Sequence, residues 1–288
     1  MVWLLFSLLT ALSKSFGDVL SKRILLKQID EYLVAFSSYF FSLFILLPLF
    51  FFIEIPAVNG TFWGAVIVSA LLNSLASILY IKALKSSDMS LVLPLLAFTP
   101  LFLLITSPLI LGEFPKLFGL IGVILIVVGS YLLNIKERYN GFWGPIKALF
   151  NDQGSRFMLA VAFIFSISSN FDKIYVRNSS AIFGWTIHAI LVVIILLPIA
   201  LHRNRKNFFL IFTKAKALAP LGIMEGLTGL LQMVAISMTL VSYVISVKRT
   251  SLVLSTLWGY LFFHEKNVKE RFFGAVVMVM GVLLITLA

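Results

Sequence analysis

The stretch ALKSSDMSLVLPLLAFTPLFLLITSPLILGEFPKLFGLIGVILIVVG, residues 83–129, returns in altered form as AISMTLVSYVISVKRTSLVLSTLWGYLFFHEKNVKERFFGAVVMVMG, residues 235–281. At an offset of 152 residues, Ala83 meets Ala235, Ser90 meets Ser242 and Val92 meets Val244. Further on, Leu109 meets Leu261, Glu113 meets Glu265, Gly122 meets Gly274 and Gly129 meets Gly281. Nearer the start of each half, Asp18 meets Asp172 at an offset of 154. Matches between apolar residues carry little weight. The shared Glu, the two Gly and the Ala-to-Ser spacing carry more, and they mark an internal repeat.

Outward from these blocks the chain is apolar almost throughout. Of 288 residues, 60% are hydrophobic and 12% charged, with a mean hydropathy of +1.05. The charged share is about half that of a soluble domain. This excludes an ordinary soluble enzyme, a disordered chain and a small secreted scaffold, because so much apolar surface needs lipid as its solvent. Cutting at charges and turn residues leaves ten blocks, at 2–21, 32–53, 62–81, 89–111, 116–135, 157–176, 181–202, 218–240, 243–264 and 270–288. Each approaches the roughly 20 residues that a helix needs to cross a bilayer. No stretch alternates with period two, which argues against a β-barrel. The first block has no basic leader or small-residue cleavage site and contains Lys14 and Asp18, so it reads as a retained helix rather than a signal peptide.

The predicted fold is an all-α integral membrane protein with ten transmembrane helices. Residues 1–135 and 157–288 form two five-helix halves. The linker 136–156 carries Phe142, Trp143, Ile146, Leu149 and Phe150, which suit either an interfacial segment or a plain connection. Five is odd, so the second half enters the membrane from the opposite side to the first. Two copies of one fold then face each other as an inverted five-plus-five repeat, the arrangement that lets a secondary transporter open to either side.

The net charge of +11 reflects topology rather than nucleic-acid binding. Seventeen of the 23 Lys and Arg lie between blocks 1–2, 3–4, 5–6, 7–8 and 9–10, on what is called the basic side below. The other side has only Lys116 and Arg177. The positive-inside rule places both termini outside the cytoplasm. The expected location is the cell (inner) membrane of a prokaryote.

The remaining cations fall within blocks, where a charge is costly and usually functional. Lys14 and Asp18 are four apart and share a helix face. Glu225, in GIMEGLTG, lies about as far from the basic side as Lys14, so these two are candidates for a pair. Glu225, Lys14, Asp18 and Asp172 are candidates for coupling or gating. A structural ion pair within the bundle explains Lys14 and Glu225 equally well. Lys248 and Arg249 lie near the start of the ninth block, facing first-half counterparts Leu96 and Ala97. One of them can snorkel, or the two together can grip a phosphate or carboxylate. His188, Thr250 and Tyr243 complete the candidate binding set. Pro94, Pro100 and Pro108 are expected to bend the fourth helix and free carbonyls. Glu113 and Glu265 recur in both halves and read as surface caps or bridges.

With these residues in hand, both quoted blocks are similar to the EamA-type repeat of the drug/metabolite transporter superfamily. The shared features are Ala-Leu near the end of the third helix, Ser opening the next, Gly-Glu or His-Glu at its end, and two glycines spaced by seven. The resemblance implies a central cavity ringed by helices 1, 3, 4, 6, 8 and 9, and movement of small metabolites. The Lys-Arg pair further resembles the triose-phosphate and sugar-phosphate branch, where such a pair grips phosphate. That branch also has a membrane-embedded Lys in helix 4, whereas here Lys85 and Lys116 stand only at its ends.

The expected function is secondary transport of a small polar metabolite, anionic or zwitterionic, by alternating access. The alternatives are an exporter of amino acids or cationic amphiphiles with Glu225 as the substrate carboxylate, and a lipid-head-group flippase or non-transporting membrane sensor. No phosphate loop, HExxH motif or metal cluster is present, so no enzyme activity, metal or cofactor is expected. The expected partners are the metabolite, the bilayer, and a proton or counter-substrate, with a monomer or homodimer as the assembly.

Overall fold

The computed structural model describes residues 2–87, 92–132, 152–205, 207–255, 258 and 268–287. Most of the linker 136–156 and Glu265 lie outside the described residues. Ten helices of eight or more residues are present among those described. They are α1 (Val2–Leu25), α2 (Glu31–Leu49), α3 (Gly60–Ser86), α4 (Phe98–Leu111) and α5 (Leu117–Leu132) in the first half. The second half contains α6 (Gln153–Arg177), α7 (Ala181–Arg203), α8 (Ala215–Met238), α9 (Val241–Lys248) and α10 (Val268–Thr286). Six of them are long and apolar enough to cross a membrane unaided: α1, α2 (as Glu31–Phe52), α3, α6, α7 and α8.

Four of the helix starts follow from side-chain capping. Asp30 accepts from the Tyr32 amide at 2.9 Å, Asn59 from Phe62 at 3.0 Å and Ser180 from Phe183 at 3.2 Å. Asp152 opens α6 by accepting from the Ser155 amide at 2.7 Å, and Ser87 Oγ donates to it at 2.7 Å. Burial works against the charged form of Asp152, but these hydrogen bonds hold its carboxyl below the usual range. A depressed carboxyl stabilises the fold above its unfolded pKa of about 3.9 and loses that contribution as pH falls through the folded value. Asp152→Ala is therefore expected to cost about 0.5–2 kcal/mol at neutral pH. Thermal midpoints of variant and parent should converge on acidification; a gap that persists in acid would contradict this.

The surface is apolar, and polar groups are gathered inside among a larger apolar core. Leu5, Leu8, Leu12, Phe44, Leu71, Leu75, Phe163 and Ile194 face outward, as lipid requires. Inside α6, Ser166, Ser168, Ser169, Asn170, Asp172 and Lys173 are all buried.

The two halves are related by an approximate two-fold exchange of each helix with the one five places later. Helix α1 packs on α8 as α3 packs on α6; α2 packs on α8 as α3 packs on α7; α1 packs on α9 as α4 packs on α6. The three self-paired contacts, α2 with α7, α4 with α9 and α5 with α10, lie across the exchange itself. Helices α5 and α10 show the direction. Gly122 lies against Gly281, and Gly129 lies against Gly274. Residue number rises along α5 as it falls along α10, so these equivalent helices run antiparallel. The halves are inserted in opposite senses.

The glycines permit that crossing. A Cβ on Gly122 would sit 2.6 Å from the Gly281 carbonyl oxygen and 2.7 Å from Ile285 Cγ1. The neighbour is backbone and cannot yield cheaply. Gly122→Val should cost about 1–3 kcal/mol by overpacking while leaving solute affinity unchanged, because no residue of α5 or α10 lines the central cavity among the described residues. A thermal unfolding curve in detergent coinciding with wild type would refute the close crossing.

The irregularities also obey the repeat. A 3-10 segment, Leu93–Ala97, precedes α4. At the matching place α9 ends at Lys248, a turn covers 249–250, and helix resumes at 251–255. Thr250 N, Leu252 N and Val253 N donate three residues back, to Val247, Arg249 and Thr250 carbonyls. Prolines account for the break before α4. Helix α9 has no proline, and its interruption falls on the Lys-Arg pair.

Candidate functional site

A cavity of about 60 Å³ lies on the seam between the halves. Its charged walls come from four helices: Lys14 on α1, Asp172 on α6, Glu225 on α8, and Lys248 with Arg249 at the break in α9. Gln232 and Thr228 on α8, Asn73 on α3, Ser168 and Ser169 on α6 add neutral polar groups. Tyr39, Phe165 and Trp185 form an aromatic wall. The Trp185 indole reaches it because Gly229 is bare: a Cβ there would fall 1.9 Å from Trp185 Cζ2. The indole nitrogen donates to the Gly226 carbonyl at 3.2 Å. A second lobe shares Lys14, Tyr39, Phe165 and Glu225 and runs toward the basic ends of the helices, reaching Ser21, Ile81 and Leu221.

The charges are held individually. Lys14 Nζ pairs with Asp18 at 2.9 Å, one turn away on α1, and lies 4.3 Å from the centre of the Tyr80 ring. Tyr80 donates to the same carboxylate at 2.5 Å. The pair anticipated between Lys14 and Glu225 does not form. Glu225 faces both lobes without an ion pair or hydrogen bond among the described residues. Lys248 donates to Gln232 Oε1 at 2.5 Å. Arg249 is 3% exposed, donates to Thr99 Oγ1 at 2.8 Å, and leaves its Nε without an acceptor. Asp172 is 4% exposed and accepts from the Ser69 hydroxyl, which Asn73 Nδ2 also approaches at 3.0 Å.

His188 lies behind the wall. It is fully buried, 3.3 Å from Asn73 Nδ2, and stacked on Trp185 with ring centres 4.8 Å apart. Thr250 bonds back to the Val247 carbonyl at 2.8 Å. Tyr243 accepts from the Lys116 amide at 3.2 Å and stacks on Trp3. Neither Thr250 nor Tyr243 lines the cavity. Gln232, Asn73, Ser69 and Thr99 were not singled out from the sequence. Gln232 and Asn73 had a signal, an isolated amide within an apolar span; Ser69 and Thr99 had none.

Glu113 does more than cap a helix. Its Oε1 lies 2.6 Å from Lys173 Nζ and 2.9 Å from Arg177, while Oε2 accepts from the Val241 amide at 3.2 Å. Lys173 also donates to the Thr239 carbonyl at 2.6 Å. This cluster ties the end of α4, the end of α6 and the α8–α9 junction together across the face opposite the basic side.

A sequence profile described as the EamA-like transporter family matches residues 1–135 and 153–287. No curated protein matches the chain. A solved structure titled "Crystal structure of protein" superposes with a TM-score of 0.69 over 98% of this chain and 96% of that one. The two are 14% identical, so the likeness concerns the fold.

Proposed function

Since the chain belongs to the EamA-like transporter family, we propose that it carries a small anionic or zwitterionic metabolite across the membrane by alternating access of its two halves. One observation supports this most: ionisable side chains from both halves line a single cavity on the seam of the inverted repeat. A charge within the bilayer is retained where it serves a solute or ion path. Broken helices at such a seam are a recurring way to present backbone and side-chain groups to a solute, and Lys248 and Arg249 stand at one. In the conformation described, the lobe reaching Ser21 and Leu221 is the entry from the basic side, and the Glu113 cluster is the closed gate opposite. Rocking the halves would exchange the two.

Proteoliposomes test this. Labelled amino acids, dicarboxylates, 2-oxo acids and phosphorylated sugars are offered to vesicles preloaded with the same unlabelled compounds. At least one should be trapped above protein-free vesicles, and Lys248→Ala should reduce that trapping at least tenfold. No trapping by folded protein, or full trapping by Lys248→Ala, would contradict the proposal.

Glu225, unpaired within the cavity, favours a second reading, export of cationic amphiphiles. Its signature is efflux of a quaternary amine that Glu225→Gln abolishes. The basic ends belong in the cytoplasm on the positive-inside rule, so a phosphatase fused to the C-terminus should be active in a bacterial host.

A further inference from the structure

We propose that the basic side carries a binding site for an anionic phospholipid, its phosphate held by Lys82 and Arg203 and its acyl chain laid along an aromatic row on α2. The site is separate from the cavity and does not depend on which solute is carried. Tyr32, Phe36, Phe40 and Phe44 follow one another at four-residue steps, so they form one ridge of α2. Ring centres lie 5.5 Å apart for Phe36 and Phe40, and 5.9 Å apart for Phe40 and Phe44. The connection from α7 to α8 flanks this ridge. Its single helical turn, Leu210–Thr213, is anchored by Ile211, which is 1% exposed. Asn204 ties the same connection to Asp30 at 2.7 Å. Phe208 packs on Phe36 and Phe212 on Phe40, with ring centres 5.8 and 6.3 Å apart. Phe44, Phe209 and Phe212 remain exposed, so the ridge and its flank continue onto the lipid-facing surface.

At the head of the ridge two cations converge on one ring. Lys82 Nζ, from α3, lies 4.8 Å from the centre of Tyr32, and the Arg203 guanidinium carbon, from α7, lies 5.6 Å from it. Each gains from the ring face, while the two repel each other. The neighbouring carboxylates are engaged elsewhere. Glu31 acts on Lys82 but is bonded to Lys85 at 2.5 Å. Asp30 accepts from the amides of Tyr32 and Leu33 and from Asn204. Neither Lys82 nor Arg203 forms an ion pair among the described residues. A phosphate set between them would match both charges, and a guanidinium fork beside an ammonium suits its oxygens.

Charge and apolar surface together select the occupant. A soluble anion would use the cations and leave the aromatic ridge bare. A neutral lipid would use the ridge and leave the cations unmatched. An anionic phospholipid uses both, and the cations stand at helix ends on the side where basic residues meet anionic headgroups. Helices α2 and α3 belong to the first half and α7 to the second, so the bound lipid joins the halves. It should therefore stabilise the folded chain as any ligand of the native state does.

The full chain in detergent, titrated with phosphatidylglycerol, phosphatidylcholine or glycerol 3-phosphate, provides the test. Phosphatidylglycerol should raise the thermal midpoint at concentrations at least tenfold lower than phosphatidylcholine, and glycerol 3-phosphate should not raise it. Lys82→Ala combined with Arg203→Ala should weaken the phosphatidylglycerol response at least tenfold. Lys214→Ala combined with Lys216→Ala, on the same side, should keep it. Phosphatidylglycerol carrying a diazirine on its acyl chain should cross-link the parent chain within residues 36–44 and 208–212, a measurement that does not depend on how the variants fold. An equal response to phosphatidylcholine or to glycerol 3-phosphate overturns the assignment. So does a full response in the Lys82 and Arg203 double variant, an equal loss in the Lys214 and Lys216 double variant, or cross-links spread evenly over the lipid-facing helices.

Discussion

Arg249→Met should abolish solute trapping and at the same time raise the thermal midpoint. Arg249 is buried at the break in α9, with one donor satisfied by Thr99 and Nε orphaned. No carboxylate lies within ion-pair distance of it among the described residues. Such a charge weakens the empty protein, and an apolar residue of similar volume removes the desolvation penalty. A site retained at the expense of stability is the pattern expected of function. Trapping should fall at least a hundredfold. Loss of stability together with loss of uptake would mean that Arg249 serves the fold instead.

Glu113→Ala should have the opposite signature. One carboxylate, 8% exposed, holds Lys173, Arg177 and the first amide of α9. Removing it leaves the Lys173 ammonium buried with only the Thr239 carbonyl. Breaking a buried pair by deleting one partner costs about 3–5 kcal/mol. The same change unties α4, α6 and α9 on the face opposite the basic side. The thermal midpoint should drop sharply, and a membrane-impermeant reagent should reach the cavity from that face more readily. Parental stability would show that the cluster is dispensable. Reduced stability with unchanged access would show that it holds the fold but does not gate the cavity.

Much of the fold could be read from the sequence because lipid imposes simple rules. Apolar blocks of bilayer length fixed where helices lie, and the odd number per half fixed their opposed insertion. The matched Gly122 and Gly274, Gly129 and Gly281 marked the repeat, but that they also permit the close α5–α10 crossing emerged only from the structure. Helix ends differ: α1 and α3 run several residues beyond the predicted blocks, to Leu25 and Ser86, because their last turns remain helical past the charges used as boundaries.

The site was less readable. Depth along a helix follows from residue count, so Lys14, Asp172, Glu225, Lys248 and Arg249 were all recognised as membrane-embedded. Which of them pair depends on helix rotation, which residue count does not determine. Lys14 therefore turned to Asp18 rather than Glu225, and His188 turned to Asn73 behind the wall. The interruption of α9 left no trace in residue type, because the ninth block has neither proline nor a glycine at the break. Glu113 was visible as a repeated residue, but its three partners come from elements brought together only by the fold.

A single cysteine in this naturally cysteine-free chain probes the central claim most directly. Thr228→Cys places a thiol on the cavity wall, on α8, at mid-depth. In reconstituted vesicles, a membrane-impermeant maleimide should label it from the basic side and, separately, from the opposite side. Saturating substrate should slow both reactions. Labelling from one side only, under every condition, would contradict a cavity that opens alternately to the two faces of the membrane.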